Sequence, residues 1–199
     1  MLDLRRRDSG FTLLEILVVL VVLLIAAAIL VPAVQKVLQR GKVEGFVRET
    51  GVSMQRVRSE AIKHGAPGIV EIDPAAAEVL LYIDIEGDGQ FSPAPGANPG
   101  TTDVLVSRYV LPPAIVLASP DGQPPVVGFS DSGGLLNHAV FLPDGSIEET
   151  GAFRFSDGNR NFFELAVEPR ATARIQIRKW HEGQERFVAA GEEPGWRWY

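Results

Sequence analysis

The residues best suited to chemistry lie near the N-terminus, where one carboxylate interrupts an apolar sequence. Glu15 follows the string SGFTLL at residues 9–14 and precedes sixteen uninterrupted apolar residues, 16–31. A carboxylate on a membrane helix costs roughly 2.5–3.5 kcal/mol on insertion scales, so such an acid indicates a function and needs a partner. Cutting the chain between Gly10 and Phe11 would create that partner, because the new α-amino group of Phe11 would be a cation four residues from Glu15.

The first ten residues have the character of a leader that such a cut would remove. Three arginines, Arg5, Arg6 and Arg7, form a basic head, and Gly10 ends the segment. A secretory signal places its apolar core before the cleavage site, with small residues directly preceding the cut. Here the small residue precedes the apolar core instead, so cleavage would leave the apolar segment in the mature protein.

The string GFTLLE at residues 10–15, followed by an apolar helix, is similar to the N-terminus of type IV pilins and type II secretion pseudopilins. The resemblance implies cleavage after Gly10 by a prepilin peptidase and N-methylation of Phe11. It also implies that Glu15 pairs with the N-terminal amine of a neighbouring subunit in a helical filament. An ordinary signal anchor that carries a stray glutamate is the alternative.

The apolar segment is long enough to anchor the chain in a membrane. From residue 11 to residue 34 a helix would measure about 36 Å at 1.5 Å per residue, enough to cross a bilayer core. The positive-inside rule places the arginine-rich head in the cytoplasm and the rest of the chain in the periplasm, with the anchor in the inner membrane. The predicted divisions are a leader at 1–10, a transmembrane and assembly helix at 11–34, an amphipathic continuation at 35–65 and a β-rich globular domain at 66–199.

Pro32, near the end of the apolar run, would remove one helical hydrogen bond and introduce a kink. A bend here is what the resemblance implies, and a simple helix break is the alternative. Apolar residues at three- and four-residue steps predict that the helix then continues to His64, before the turn string GAPG at residues 65–68. That stripe comprises Val34, Val37, Leu38, Phe46, Thr50, Met54, Val57 and Ala61.

Beyond the helix, short β-rich runs separated by turn residues predict an α+β domain with antiparallel sheets. The resemblance implies the type IV pilin fold, in which the long helix packs on the sheet. A turn string, DGNR at 157–160, predicts a hairpin between two of the runs. The predicted strands span residues 68–72, 79–85, 104–110, 115–118, 126–130, 139–142, 152–155, 162–167, 172–180 and 185–189.

An acidic turn follows the second predicted strand and has two interpretations. Asp84, Glu86 and Asp88 precede Gly89 and match the first half of a calcium-binding loop. The twelfth position is Pro95, where such a loop needs a bidentate glutamate, so a strand that ends in an acidic glycine turn is favoured. The string DIEGDG, and FLPDG at residues 141–145, are similar to turns of the GspH/FimT group of minor pilins and pseudopilins.

Some members of that group bind DNA through a basic Gly-Arg-x-Arg stretch late in the chain. The matching string here, ARIQ at residues 173–176, departs from the pattern at the glycine and at the second arginine. Arg174, Arg178 and Lys179 remain as candidate DNA contacts, with a solvated strand face as the alternative. The formal net charge of −6 indicates no broad nucleic-acid footprint for the whole chain.

The sequence does not indicate an enzyme or a cofactor. It has no cysteine, which removes disulfides, thiolate metal sites and a catalytic thiol. The three histidines, at positions 64, 138 and 181, are far apart and lack the spacing of a zinc site. We therefore predict a non-enzymatic filament subunit whose partners are a prepilin peptidase, other pilins or pseudopilins, the membrane and the inner-membrane assembly platform.

Overall fold

A computed structural model describes residues 12–73, 75–92, 102–120, 122, 124–129, 138–158, 160–190 and 192. The leader at 1–10 and Phe11 lie outside the described residues. The chain forms two compact units, Met1–Gln39 and Arg40–Tyr199.

One helix, α1, spans Leu13–His64, a length of 52 residues. The backbone is helical at Pro32, so the alternative of a helix break at that residue is wrong, and a kink there stays a prediction. The predicted end at His64 is confirmed. Gly65 follows with a left-handed φ of 65°, and its N–H donates to the carbonyl of Ala61 at 2.9 Å, a usual way to end a helix.

In the first unit, α1 carries a long apolar stretch that the described part of the chain does not cover. The stretch Leu13–Val31 is 19 residues long, long and apolar enough to cross a membrane, and none of it is buried. Leu14 and Leu24 are 71% and 70% exposed. Such a surface is favourable only in lipid or against other apolar chains.

In the second unit, α1 buries one face. The predicted stripe is confirmed for five positions, Phe46, Thr50, Met54, Val57 and Ala61. Val43 and Val47 are also fully buried, although the predicted stripe omitted them. In the first unit, Val34 and Leu38 are exposed, so their assignment to a buried stripe is wrong for this chain.

In the part of the chain that the structure describes, ten strands follow the helix, and all of their pairings are antiparallel. One sheet has the order β3-β2-β1-β6, and the other has the order β10-β9-β8-β7-β4, with β5 also paired to β7. The strands are β1 Gly68–Asp73, β2 Glu78–Ile83, β3 Val104–Val110, β4 Val116–Leu117, β5 Val126–Gly128, β6 His138–Phe141, β7 Gly151–Ser156, β8 Phe162–Val167, β9 Ile175–His181 and β10 Arg186–Ala189. The predicted α+β class is confirmed: a long N-terminal helix precedes an antiparallel sheet domain.

The strand predictions differ from the structure mainly at strand ends. The bounds of β3 and β8 and the hairpin between β7 and β8 are confirmed. The predicted start of β9 at Thr172 is wrong, because Ala173 has a φ of 42° and its N–H donates to the carbonyl of Pro169 in a turn. The predicted end of β2 at Ile85 is also wrong, because the chain enters the acidic turn at Asp84.

One aromatic ring of the helix contacts both sheets. The Phe46 ring centroid lies 5.8 Å from that of Tyr109 on β3 and 5.5 Å from that of Phe155 on β7, with both pairs edge to face. The Tyr109 hydroxyl donates to Thr50 Oγ1 at 3.1 Å, and burial raises the pKa of Tyr109 to about 12. The helix and both sheets therefore share one core.

The contact between α1 and β1 depends on a glycine. A Cβ on Gly68 would lie 2.6 Å from Val57 Cγ1 and 3.1 Å from the Val57 carbonyl oxygen. We expect Gly68→Ala to lower the free energy of unfolding by about 1–3 kcal/mol, because the added methyl separates strand from helix. Urea unfolding of the full chain in mild detergent, followed by tryptophan fluorescence, measures this change.

The matched control is Gly45→Ala, at a helical glycine with no heavy atom within 4 Å of the added Cβ. This change should raise the free energy of unfolding by about 0.5–1 kcal/mol, because alanine loses less backbone entropy than glycine in a helix. Changes of the same sign in the two variants would contradict the packing role of Gly68.

Candidate functional site

Glu15 lies in the first turn of α1. Thr12 immediately precedes the helix, and its Oγ1 accepts a hydrogen bond from the Glu15 N–H at 3.2 Å. A threonine followed three residues later by a glutamate is the capping-box pattern, and an acid in the first turn also interacts favourably with the helix dipole. Thr12 therefore caps the helix, a local role that the sequence analysis missed.

The Glu15 carboxylate itself is exposed and has no hydrogen-bond or ion-pair partner among the described residues. It lies beside the uncovered apolar stretch that ends at Val31. Gly10 and Phe11 fall outside the described residues, so cleavage, methylation and the pairing of Glu15 with the Phe11 amine stay predictions. Among the described residues, the helix therefore presents an acid without a partner near one end of an unburied apolar surface.

The acidic turn after β2 is held by its own carboxylates. Asp84 is buried and accepts hydrogen bonds from the N–H groups of Gly87 and Gly89 at 2.6 and 2.8 Å. Asp103 accepts from the N–H groups of Ile85 and Ser92, both at 2.8 Å. Carboxylate oxygens that a calcium ion would need are thus bound to backbone donors.

The other two acids of the proposed calcium loop, Glu86 and Asp88, are exposed, and Asp88 Oδ1 accepts from the Gln90 N–H. Within the part of the chain that the structure describes, no group of three or more His, Asp or Glu residues could hold a metal ion. The Tyr82 hydroxyl closes the turn by donating to the Gly89 carbonyl, and burial together with nearby carboxylates raises the pKa of Tyr82. Asp103 was not predicted, because it lies far from the turn in sequence.

The second glycine turn, at residues 141–145, ties the end of β6 to the helix. Gly145 has a φ of 82°, which favours glycine, and its carbonyl accepts a hydrogen bond from Arg58 Nε at 2.6 Å. The Ser146 side chain and N–H donate to Asp144 Oδ1, which lowers the pKa of Asp144. The motif thus has a structural role in the described residues.

The three candidate DNA contacts do not come together on one surface. Arg178 and Lys179 are neighbours on β9, so their side chains point to opposite faces of the sheet. The Lys179 ammonium lies 5.5 Å from the ring centroid of Phe163. Arg174 is exposed and lines a separate depression beside Arg58 of the helix. This arrangement does not favour the DNA prediction.

Arg178 instead belongs to a row of charges across three strands, which we call the Arg–Glu–Arg row: Arg154 on β7, Glu164 on β8 and Arg178 on β9. Glu164 is directly opposite both arginines in the strand register. Its carboxylate accepts from Arg154 Nε at 2.9 Å and from Arg178 Nη1 at 3.4 Å, and its side chain is only 6% exposed. Both partners are needed, because a buried carboxylate without a counter-charge is costly.

Arg178 has two further contacts that hold its guanidinium in place. It forms an ion pair with Glu168, whose side chain is 47% exposed, and donates to Gln176 Oε1 at 3.0 Å. Desolvation acts to lower the pKa of Arg178, but the bond to Glu168 and the charges of Glu168 and Glu164 outweigh it and raise the pKa. The sequence analysis missed the row because only the strand register brings its members together.

The three histidines lie on three different elements. His64 ends α1 with its Nε2 3.4 Å from Glu60, and His138 on β6 has its Nε2 3.5 Å from Glu71. His181 ends β9, and its buried Nδ1 has no hydrogen-bond partner among the described residues. The histidines therefore share no site.

Comparison with known proteins gives two matches. A family model described as the prokaryotic N-terminal methylation motif matches residues 5–31, which confirms that this segment carries such a motif. The chain is similar to the structure of the minor pseudopilin EpsH from the Type 2 Secretion System of Vibrio cholerae, with a TM-score of 0.44 and 11% sequence identity. The match covers 75% of this chain and 98% of the EpsH chain. No curated protein matches the sequence.

The Arg–Glu–Arg row yields a stability prediction. Arg154→Ala should lower the free energy of unfolding by about 2–3 kcal/mol, because it leaves the buried Glu164 with one counter-charge. Arg174→Ala removes the same type of side chain at an exposed position and should change the free energy of unfolding by less than about 0.5 kcal/mol. Urea unfolding in mild detergent measures both variants, and equal losses would contradict the role assigned to the row.

Proposed function

We propose that the chain is a minor pilin or pseudopilin of the GspH/FimT type, a structural subunit of a type II secretion pseudopilus or a type IV pilus. The observation that carries the proposal is the N-terminal methylation motif at residues 5–31, continued by an unburied apolar helix that bears Glu15. The motif supplies a processing site, and the helix supplies both an anchor and a surface for assembly.

The mechanism is assembly rather than catalysis. A prepilin peptidase cuts after Gly10, and the new N-terminus at Phe11 is methylated. The apolar helices of neighbouring subunits then cover the stretch Leu13–Val31, which is exposed in the single chain. This covering removes apolar surface from lipid or water and brings one subunit's N-terminal amine close to the next subunit's Glu15.

Pairing of the amine with Glu15 would offset the cost of burying both charges. In a bundle of apolar helices the dielectric is low, so burying an unpaired ion costs several kcal/mol. Burying the amine and the carboxylate as a pair costs much less. The pairing also fixes the axial register of the subunits, because an offset of one turn separates the two charges by about 5.4 Å more.

The location follows from the same segment. Arg5, Arg6 and Arg7 hold the N-terminus in the cytoplasm, and the single apolar helix crosses the inner membrane. The unit from Arg40 onward then lies in the periplasm and is displayed on the filament. Its partners are other pilins or pseudopilins and the inner-membrane assembly platform.

The first prediction from this proposal concerns processing. Protein extracted from membranes that contain a prepilin peptidase should have the mass of residues 11–199 plus one methyl group. Replacing the small residue at the cut, in Gly10→Leu, should leave the leader attached, because the bulky side chain blocks the peptidase. Intact-mass spectrometry distinguishes these products. An intact, unmethylated wild-type chain would remove the basis of the proposal.

The second prediction concerns Glu15. Glu15→Ala should insert at least as well as the wild type, because removing a membrane carboxylate saves roughly 2.5–3.5 kcal/mol on insertion scales. It should nevertheless enter filaments at least about tenfold less, since the buried amine loses a pairing worth 1.4 kcal/mol or more. Immunoblots of sheared filament and membrane fractions measure the two effects separately.

Glu49→Ala is the matched control, because Glu49 is an exposed glutamate of the same helix outside the apolar stretch. It should enter filaments normally. Normal incorporation of Glu15→Ala, or an equal loss in both variants, would contradict the pairing.

A further inference from the structure

The outer face of the larger sheet forms a groove that the proposed assembly mechanism does not use. Two adjoining depressions, of about 430 and 300 Å³, share Arg154, Glu164 and Arg178. Trp180 and Phe187 form one wall, with ring centroids 5.2 Å apart. We call this the β7–β10 groove, with the Arg–Glu–Arg row as its floor.

The floor of the groove is positive, although the residues that line the two depressions are balanced overall, with three arginines and three glutamates. Its floor has two guanidinium groups for one buried carboxylate, and Arg186 adds a further cation at the larger depression. Glu168 and Glu185 lie at its margins, where Glu185 is exposed and the Glu168 side chain is 47% exposed. Glu168, which balances the excess charge of the Arg–Glu–Arg row, is therefore more accessible than the buried Glu164. An incoming anion can take the place of Glu168.

Both arginines of the floor keep N–H groups that bind no acceptor among the described residues. Arg154 uses Nε for Glu164 and Nη1 for the Ser119 hydroxyl, while Arg178 uses only its two terminal nitrogens. Each guanidinium has five N–H groups, so Arg154 Nη2 and Arg178 Nε have N–H groups without a partner among the described residues. An N–H of a guanidinium donates a strong, charge-assisted hydrogen bond to a carboxylate.

The groove is held in shape before any ligand arrives. The Arg154 guanidinium carbon lies 4.9 Å from the ring centroid of Phe187, so this side chain reaches from β7 to β10 while Glu164 holds it from below. Arg178 is fixed by three acceptors. Side chains that are already ordered lose little entropy when they bind, which favours recognition at this place.

From these observations we infer that the β7–β10 groove binds an extended acidic segment of a partner protein. A carboxylate of that segment binds the arginines of the floor in place of Glu168, and a neighbouring apolar side chain packs on Trp180 and Phe187. The inference is independent of the N-terminal segment and of the proposed filament.

Charge and shape favour an acidic peptide over a nucleic acid. A carboxylate carries one negative charge, which matches the single excess cation of the Arg–Glu–Arg row. A phosphodiester chain needs a continuous basic surface, whereas Glu164 lies in the floor and Glu185 in the margin of this groove. The aromatic wall suits an apolar side chain, and aromatic and arginine anchors are typical of the centres of protein interfaces.

The test uses a phage-displayed library of random peptides of about ten residues, the length of an extended recognition segment. The library is selected on the full chain in detergent micelles at low salt. Selected peptides should be rich in Asp or Glu next to a large apolar residue. A chosen peptide is then synthesised, and its Kd is measured by fluorescence anisotropy, together with that of a version with Asn and Gln for its acids.

Two substitutions at the groove margin should change the Kd of the peptide in opposite directions and leave the buried row intact. Arg186→Glu should weaken binding about tenfold, because it reverses a charge beside the carboxylate. Glu168→Gln should tighten binding about threefold, because it removes the carboxylate that competes for Arg178. Arg174→Glu, the same reversal at an exposed arginine outside the groove, should change the Kd by less than about twofold.

The outcomes separate a binding groove from a purely structural row. The inference is overturned if no peptide is selected above background, if the amide version binds equally well, or if Arg186→Glu and Arg174→Glu weaken binding alike. It is also overturned if single-stranded DNA binds the groove in an Arg186-dependent manner and the acidic peptides do not. Opposite shifts in Arg186→Glu and Glu168→Gln, with unchanged unfolding curves, establish the site.

Discussion

The constraint on which this molecule depends is that one helix must bury apolar side chains by two different means. Over residues 43–61 the chain supplies the cover itself, because two antiparallel sheets pack on α1 and share its core. Over residues 13–31 the described chain supplies none, so lipid or other chains must do so. Glu15 lies near the start of the second stretch, and its carboxylate gains a counter-charge only in the proposed filament. The proposed filament reconciles the two requirements, because neighbouring helices cover the apolar surface and provide the counter-charge.

Local patterns made much of the fold predictable. The β-rich runs predicted the bounds of β3 and β8, and the turn residues at 157–160 predicted the hairpin between β7 and β8. Three- and four-residue steps predicted five buried positions of α1. The start of β9 was mispredicted because an alternating sequence continued into a turn in which Ala173 takes a left-handed φ. Alternation records which face a side chain would occupy, and it does not record where the hydrogen-bonded ladder begins.

The candidate sites show the same division. The N-terminal motif could be recognised from the sequence because its residues are consecutive and their chemistry is local. The Arg–Glu–Arg row could not be recognised from the sequence, because Arg154, Glu164 and Arg178 become neighbours only through strand register. The acids after β2 were ambiguous for another reason: a carboxylate that accepts backbone N–H groups and one that binds a cation are the same residue in a sequence. In the structure, the carboxylates of Asp84 and of Asp103, which comes from beyond the turn, accept backbone N–H groups.

The contacts of Phe46 have a mechanical consequence. In the proposed filament, a subunit held by its helix would receive any axial pull through α1, and the ring of Phe46 contacts Tyr109 of one sheet and Phe155 of the other. The load is therefore divided between the two sheets at the same point, rather than passed from strand to strand along the chain. Elements loaded in parallel share the force, so a pull on α1 would act on both sheets at once rather than first on the strand nearest the helix.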